Sequence, residues 1–348
     1  MARVLITGGA GFIGSAVIRH ILDGQSFDGT VLNLDKLTYA ANLKALDSVV
    51  SDSRYRFEKI DIVDWPATRQ IFQDFRPEVV IHLAAETHVD RSIDDPFEFI
   101  RTNVQGTCNL LHAALETSAG MQNFRFVHVS TDEVFGSMDV GRSALEEDAY
   151  RPNSPYSASK AASDHFARAW HVTYGLPVIV TNCTNNYGPW QYPEKLIPVI
   201  VLNALSGRPL PIYGDGSNVR DWLFVEDHAR AIWLAAQQGE TGSNYNISGD
   251  AERSNVEVVN QVCTVLDELR PRSDGQSYTN QIKFVPDRPG HDRRYSLNSD
   301  RIENSLGWRP GVSFEEGFRR TVEWYVENAG ELERNTQSAS AERRGLRE

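Results

Sequence analysis

Cysteine is scarce: the 348 residues hold three, Cys108, Cys183 and Cys263, far apart and odd in number. That pattern fits neither a disulfide framework nor a zinc site, so the reading is reduced thiols and no bound metal. Long apolar runs are absent as well, since none reaches the roughly 18 residues of a membrane span. Positive charge is short, with 35 Lys and Arg against 47 Asp and Glu, a formal net charge of −12. This argues against nucleic-acid binding through a general basic surface, but leaves room for a small anionic substrate held by a local arginine cluster. Nothing before the first apolar strand has the length of a signal peptide, and a cytoplasmic protein is expected. No internal repeat is present. From Glu331 to Glu348 there is no apolar periodicity, and a disordered tail is expected over 331–348.

What is present is concentrated first between Met1 and Gly14. Arg3–Thr7 has the β-branched and aliphatic composition of a strand buried on both faces of a parallel sheet. Glycines follow at 8, 11 and 14, and then Phe12, Ile13, Ala16, Val17, Ile21 and Leu22 recur at helical spacing. Strand, glycine turn and helix present free N–H groups and a positive helix end to a pyrophosphate. Gly8 serves the tight turn, Gly11 the approach of the phosphates, and Gly14 the close packing of helix on strand. A second strand, Val31–Leu34, ends in Asp35, about 20 residues on, where an acid meets the ribose hydroxyls. Its charge repels a 2′-phosphate, so the expected cofactor is NAD rather than NADP.

Strand and helix patterns then alternate. Strands are expected at Arg3–Thr7, Val31–Leu34, Tyr55–Ile60, Val79–Leu83, Phe124–Ser130 and Val178–Asn182, with helices near 12–23, 65–75, 96–118 and 154–174. The implied fold is α/β, a Rossmann-type doubly wound parallel sheet with a smaller C-terminal α/β substrate lobe. Residues 1–184 are read as the dinucleotide-binding domain, rejoined by about 222–250, where Ser243–Ile247 adds a strand. Residues 185–221 and 251–330 are read as the lobe, with Asn185–Pro193 a loop and helices at 194–205, 255–269 and 314–328.

Ligands in such sheets lie beyond the carboxyl ends of the strands. There Asp61 and Ile62 suit an adenine amine and its ring, although Asp61 equally suits the N-cap of the next helix. The stretch Leu83-Ala-Ala-Glu-Thr-His-Val-Asp-Arg-Ser92 lets the chain pass close to a cofactor, while His88, Asp90 and Arg91 do not stand apart from ordinary loop polarity. Ser130-Thr-Asp-Glu-Val-Phe-Gly136 puts three polar side chains at a strand end. Asp132 and Glu133 there are either chemistry or caps. Tyr156 and Lys160 share one helix face, and an ammonium beside a phenol favours the phenolate. Arg220, Arg288, Arg293 and Arg294 are either neutralisers of a diphosphate or solvated loop arginines.

With these pieces assembled, the chain resembles the extended short-chain dehydrogenase/reductase family, and within it the members that dehydrate dTDP-glucose. The likeness runs from Met1 to about Glu327. It rests on Gly8-Gly-Ala-Gly-Phe-Ile-Gly14, Asp35-Lys-Leu-Thr38, the 83–92 and 130–136 stretches, Tyr156-Ser-Ala-Ser-Lys160, Asn185-Asn-Tyr-Gly-Pro189, Glu194-Lys-Leu-Ile-Pro198 and Asp287-Arg-Pro-Gly-His291. Epimerases of the same fold carry small hydroxyl residues where Asp132 and Glu133 stand. Phe135 departs from the family, which usually has Tyr there.

The resemblance implies oxidation at C4 of the sugar, loss of water across C5 and C6, and reduction at C6. It makes Tyr156 the base at the 4-hydroxyl, with Lys160 and Thr131 in support, Glu133 the base at C5, and Asp132 the acid for the departing 6-hydroxyl. Position by position, cofactor contacts fall on Phe12, Ile13, Asp35, Lys36, Leu37, Thr38, Asp61, Ile62, Leu83, Ala84, Ala85, Thr102, Tyr156, Lys160 and Asn186. Substrate contacts fall on Thr87, Thr131, Asn185, Lys195, Leu196, Pro211, Ile212, Tyr213, Arg220, Asn255, Asp287, Arg288, Pro289, Gly290 and His291. The family also implies a homodimer through 96–118 and 154–174. The competing readings are a related epimerase or dehydratase acting on a UDP-, CDP- or GDP-sugar, and an NAD-sensing protein without turnover. The sensor has no need of Tyr156, Lys160 and both acids.

Overall fold

A computed structural model of the chain describes residues 2–24 and 27–336. The first half runs β1 (Ala2–Thr7), α1 (Phe12–Asp23), β2 (Gly29–Asp35), β3 (Tyr55–Lys59), α2 (Trp65–Phe75), β4 (Val79–His82), α3 (Val89–Asp94), α4 (Pro96–Phe99), α5 (Thr107–Ser118), β5 (Arg125–Thr131), α6 (Pro155–Tyr174) and β6 (Val178–Cys183). The second half runs β7 (Asn185–Tyr187), α7 (Leu196–Leu205), β8 (Leu210–Tyr213), β9 (Val219–Phe224), α8 (Val225–Gln238), β10 (Asn244–Ile247), β11 (Glu252–Ser254), α9 (Asn255–Leu269), β12 (Ile282–Val285), α10 (Asp300–Leu306) and α11 (Phe314–Thr336).

Seven parallel strands form the main sheet in the order β10-β6-β5-β4-β1-β2-β3. The order reverses between β1 and β4, and that switch point opens the crevice in which doubly wound sheets bind ligands. Period-two alternation explains why β1 reads as one apolar run. Val4 and Ile6 belong to the core shared with α1 and α8, whereas Leu5 belongs to the opposite core, shared with α2, α5 and α6. A second unit gathers α7, α9 and α11 over a three-stranded sheet, β11-β9-β7, and a parallel pair, β12-β8.

Four expectations change. The stretch 96–118 is not one helix: α4 and α5 flank a π-helical turn, Ile100–Gly106. Asp95 caps α4, and Ile62 presses on Gly106, where a Cβ would lie 2.5 Å from its Cδ1. Such turns re-aim side chains, here burying Thr102 and Asn103. Asn185–Tyr187, expected as loop, is a strand because it pairs with β9. Ile302 and Trp308 pack into the core beside α1 and α8, so 251–330 is not wholly lobe. The tail expectation fails for Glu331–Thr336, which continue α11, while 337–348 lie outside the described residues.

Gly14 shows how tightly α1 sits on the sheet. A Cβ there would lie 2.2 Å from the carbonyl oxygen of Gly8, whereas one on Gly330 in α11 would meet nothing within 4 Å among the described residues. Gly14→Ala is therefore expected to lower stability by about 1–3 kcal/mol in denaturant titration. Gly330→Ala should raise it by up to about 1 kcal/mol, because only helix propensity changes there. Equal effects of the two substitutions would reject the packing role of Gly14.

Candidate active site

The carboxyl ends of β1 to β6 open into one cleft, and every expected cofactor residue except Leu37 lines it. Helix α1 starts at Gly11 with no side chain capping it, so its first N–H groups are left for a ligand. Gly8 adopts φ 73°, and a Cβ on it would lie 2.7 Å from the Ala84 nitrogen. A Cβ on Gly11, in contrast, would meet only the Gly8 oxygen, at 3.2 Å. That open cradle fits a pyrophosphate. Asp35 accepts from the Ala10 nitrogen at 3.0 Å and the Leu37 nitrogen at 2.8 Å, while burial pushes its carboxyl above the usual range. Leu37 itself, at φ 58°, serves this turn through its backbone.

Lys36 is held at the rim by Glu98 at 3.2 Å and Thr102 at 3.4 Å, with Asp61 and Glu86 within 4 Å. The N-cap of α2 is Asp64, not Asp61. Asp61 instead accepts from the Val63 nitrogen at 3.0 Å and faces the cleft beside Ile62. Asn186 also lines the cleft, with its side-chain oxygen 2.8 Å from Nδ1 of His228.

Thr131, Asp132, Glu133, Tyr156 and Lys160 line this same cleft. Thr131 ends β5 and caps the 3-10 turn Asp132–Phe135: its hydroxyl accepts from the Glu133 nitrogen and donates to Asp132 Oδ1 at 3.1 Å. Asp132 is buried and its Oδ2 has no hydrogen-bond partner among the described residues. Burial, with Glu133 adding like charge, pushes the Asp132 carboxyl well above its usual value. Glu133 is raised too, by burial, but Arg288, Arg220 and Lys195 pull it back. Both carboxyls are thus raised, with three cations opposing the rise at Glu133. Phe135, in place of the family's Tyr, is buried edge-to-face against Tyr150 at 5.0 Å.

Tyr156 corrects one expectation. Burial and then Glu133 push its phenol well above 10, with the Thr131 hydrogen bond opposing them. Lys160 donates to the Val129 carbonyl at 2.9 Å instead, so the chain by itself does not favour the phenolate.

On the substrate side, Thr87, Asn185 and Lys195 line the cleft, and Lys195 donates to the Thr87 carbonyl at 3.0 Å. Leu196 opens α7 and Asn255 opens α9. Pro211, Ile212 and Tyr213 lie on β8, paired with β12, although the Ile212 side chain is core. The Asp287–His291 turn follows β12 and folds back on Tyr213. The Tyr213 and His291 rings are 6.3 Å apart, and His291 lies 2.7 Å from Asp287. Burial and Arg288 push His291 down to about 4. Pro289 and Gly290 shape the turn, Gly290 at φ 66°. Buried Arg220 stacks 4.2 Å over the Tyr295 ring and donates to the Asp292 carbonyl.

Of the four candidate arginines, Arg294 is a correction: Glu252 and the carbonyls of Asp139 and Arg142 hold its guanidinium. Arg293 is exposed, leaving Arg220 and Arg288 near the acids. Sequence reasoning could not separate Asp90 from loop polarity and missed its role: it accepts from the Tyr213 hydroxyl at 3.1 Å and lies 3.6 Å from Arg288. It missed Glu194 as well, which lines the cleft and takes a hydrogen bond from Tyr39. Both lie in stretches on which the resemblance rests, 83–92 and Glu194–Pro198, but neither is singled out there as a site residue.

Comparison with known proteins follows the same lines. The family model described as GDP-mannose 4,6 dehydratase matches residues 5–321. The chain is 53% identical over 340 residues to the dTDP-glucose 4,6-dehydratase of Salmonella typhimurium, covering 94% of this chain and 93% of that one. It is 52% identical over 340 residues to dTDP-glucose 4,6-dehydratase 1 of Escherichia coli, with 94% and 93% covered. The crystal structure of the dTDP-glucose 4,6-dehydratase DesIV from Streptomyces venezuelae, with NAD and TYD bound, superposes with a TM-score of 0.88 at 47% identity, covering 96% of this chain and 99% of that one. A UDP-glucose 4-epimerase from Thermus thermophilus, in complex with NAD, reaches 0.81 at 31% identity, covering 93% and 99%. Matched along most of its length, the chain belongs to the nucleotide-sugar 4,6-dehydratases of the extended short-chain dehydrogenase/reductase family, in the branch of the dTDP-glucose 4,6-dehydratases.

Proposed function

We propose that this protein is a hydro-lyase that converts dTDP-glucose to dTDP-4-dehydro-6-deoxy-D-glucose, using NAD held in the glycine-turn cleft. The observation that carries the reading is a buried Asp132 beside Glu133, opening into the same cleft as Tyr156. NAD, when bound, supplies the hydride acceptor for C4, the donor for C6 and, while oxidised, a positive charge that favours the Tyr156 phenolate. Tyr156 takes the proton of the 4-hydroxyl, and Thr131 hydrogen-bonds the same oxygen. Lys160 contributes a fixed cation behind them. Glu133, kept ionisable by Arg288, Arg220 and Lys195, removes the proton on C5 once C4 is a ketone and returns a proton to C5 when C6 receives hydride. Asp132 keeps its proton in the dry site and gives it to the 6-hydroxyl as water leaves. An epimerase needs neither acid.

The protein also acts as a cytoplasmic homodimer in this reading. Among the described residues no helix is long and apolar enough to cross a membrane. Among the described residues, five of the ten large apolar side chains left exposed lie on α4, the π turn and α6: Phe97, Ile100, Phe166, Val172 and Tyr174. Phe166 stacks on Trp170, and Trp170 on Tyr174, giving a rigid apolar face of the kind that pairs with a second copy. Sedimentation is expected to give a dimer, with Phe166→Glu shifting it toward monomer. A monomeric unaltered protein rejects the assignment.

The reaction is tested by offering dTDP-, UDP-, CDP- and GDP-hexoses to the purified protein. Only the dTDP-sugar is expected to give a product one water lighter. Asp132→Asn should still reduce the bound cofactor on adding dTDP-glucose but lose water about 100-fold or more slowly, the usual scale of general acid catalysis. Dehydration at the unaltered rate would remove Asp132 from its role. Tyr156→Phe should instead suppress the first cofactor reduction.

A stability measurement checks the acid separately. With its carboxyl raised by folding, Asp132 binds a proton in the folded but not the unfolded state over the window between its usual and raised values. Stability therefore falls as pH climbs through that window. Asp132→Asn lacks this loss. Denaturant midpoints should show the variant gaining on the parent from about pH 4 upward, by about 1.4 kcal/mol for each tenfold rise in proton affinity. Parallel pH profiles would reject the raised carboxyl.

A further inference from the structure

Behind the reacting groups, on the side of α6 turned to the sheet, lies a buried carboxylate that the proposed reaction does not use. Asp164 is 3% exposed and stands one helical turn beyond Lys160. Its Oδ2 accepts from the Ser130 hydroxyl at 2.7 Å and lies 3.5 Å from Nδ2 of Asn182, while its Oδ1 lies 3.0 Å from Nε2 of His128. Lys160 donates to the Val129 carbonyl, so α6 is pinned to β5 at residues 128, 129 and 130, immediately before Thr131, Asp132 and Glu133. Asn182 extends the tie to the Thr131 carbonyl at 3.1 Å.

Residues four apart on a helix are neighbours, and an opposite charge close by favours the charged form. The other titratable groups around Lys160 are His82 on β4, His128 on β5, Cys183 on β6, and the phenol and acid pair at the cleft. Burial keeps both histidines neutral and the Cys183 thiol protonated. Burial likewise works against the Lys160 ammonium, and Asp164 is the largest influence opposing it.

We propose that Asp164 is a positioning residue acting through Lys160: it is the counter-charge that holds the ammonium in the dry interior and the staple that sets the strand end bearing Thr131, Asp132 and Glu133. This rests on the reaction proposed above, in which Lys160 serves as a cation.

The protein has only six lysines, so side-chain NMR of isotope-labelled lysine, assigned with Lys160→Met, can follow the titration of Lys160 directly. In the unaltered protein Lys160 is expected to stay protonated through neutral pH. In Asp164→Asn, which keeps the shape and can still accept from Ser130, its midpoint should fall by about one pH unit or more, a tenfold loss of proton affinity. Asp164→Glu, which keeps the charge, should restore most of that loss. At pH values above the lowered Lys160 midpoint Tyr156 lacks a neighbouring cation, so C4 oxidation in Asp164→Asn should fall away from the unaltered protein there and approach it below that pH. An unchanged Lys160 midpoint, with oxidation merely slowed alike at every pH, would overturn the proposal. If Asp164→Asn does not fold, the unaltered protein still decides, since a Lys160 that is neutral at neutral pH overturns it as well. The lysine titration needs no sugar nucleotide, so failure to turn over dTDP-glucose would reject the reaction without touching the titration result.

Discussion

Two adjacent carboxyl groups withdrawn from water at the end of a parallel strand are the constraint to which the rest of the structure answers. An isolated ionised carboxylate is expensive to bury, and a neighbouring like charge makes it more so. The protein divides the pair rather than neutralising it. Asp132 sits under the turn with one oxygen unpartnered, while Glu133 is half-buried and within the field of Arg220, Arg288 and Lys195. The cations thus oppose at Glu133 the rise that burial and like charge drive at Asp132. Acid and base work on neighbouring carbons requires that asymmetry.

Those cations come from parts of the chain far from the strand. The parallel sheet supplies the acids, the phenol and the lysine, all at carboxyl ends or on α6. The second unit supplies Arg220 from β9 and Arg288 from the turn after β12. Asp90, on α3 beside the sheet, is gripped by Tyr213 and faced by Arg288, so the turn that brings the cation is tied to the half that holds the acids. Ser92, on the same helix, accepts a hydrogen bond from the Tyr156 nitrogen. A single short helix thus registers the substrate-side turn against the start of α6.

What was legible in the sequence was what local periodicity and turn chemistry determine. The run from Arg3 to Gly14 announces strand, turn and helix because every cue lies within a few residues. The same holds for β5 and its polar end, and for α6 with its Ser154-Pro155 start, which forms a capping box. The misses share a cause: a distant partner decides them. At the π turn Ile62 leaves no room for a side chain on Gly106, β7 exists because β9 lies beside it, and Arg294 is tied by Glu252. The electrostatics of Tyr156 belong here too. Spacing places Lys160 on the same helix face, but not the Val129 carbonyl that takes its ammonium.

The capping alternative for Asp132 and Glu133 can be weighed on the same ground. A cap accepts the free N–H groups of the turn it begins, and Thr131 already does this for the turn that follows β5. Asp132 receives the Thr131 hydroxyl on one oxygen and nothing on the other. A buried carboxyl that satisfies no backbone group and leaves an oxygen unpartnered lowers stability without a structural return, since an amide or an apolar side chain in the same space would carry no such penalty. Phe135, two residues past Glu133, makes the contrast plain: where only packing is at stake, this same turn buries an apolar ring against Tyr150. An uncompensated acid beside so well-packed a neighbour makes sense where its proton is needed.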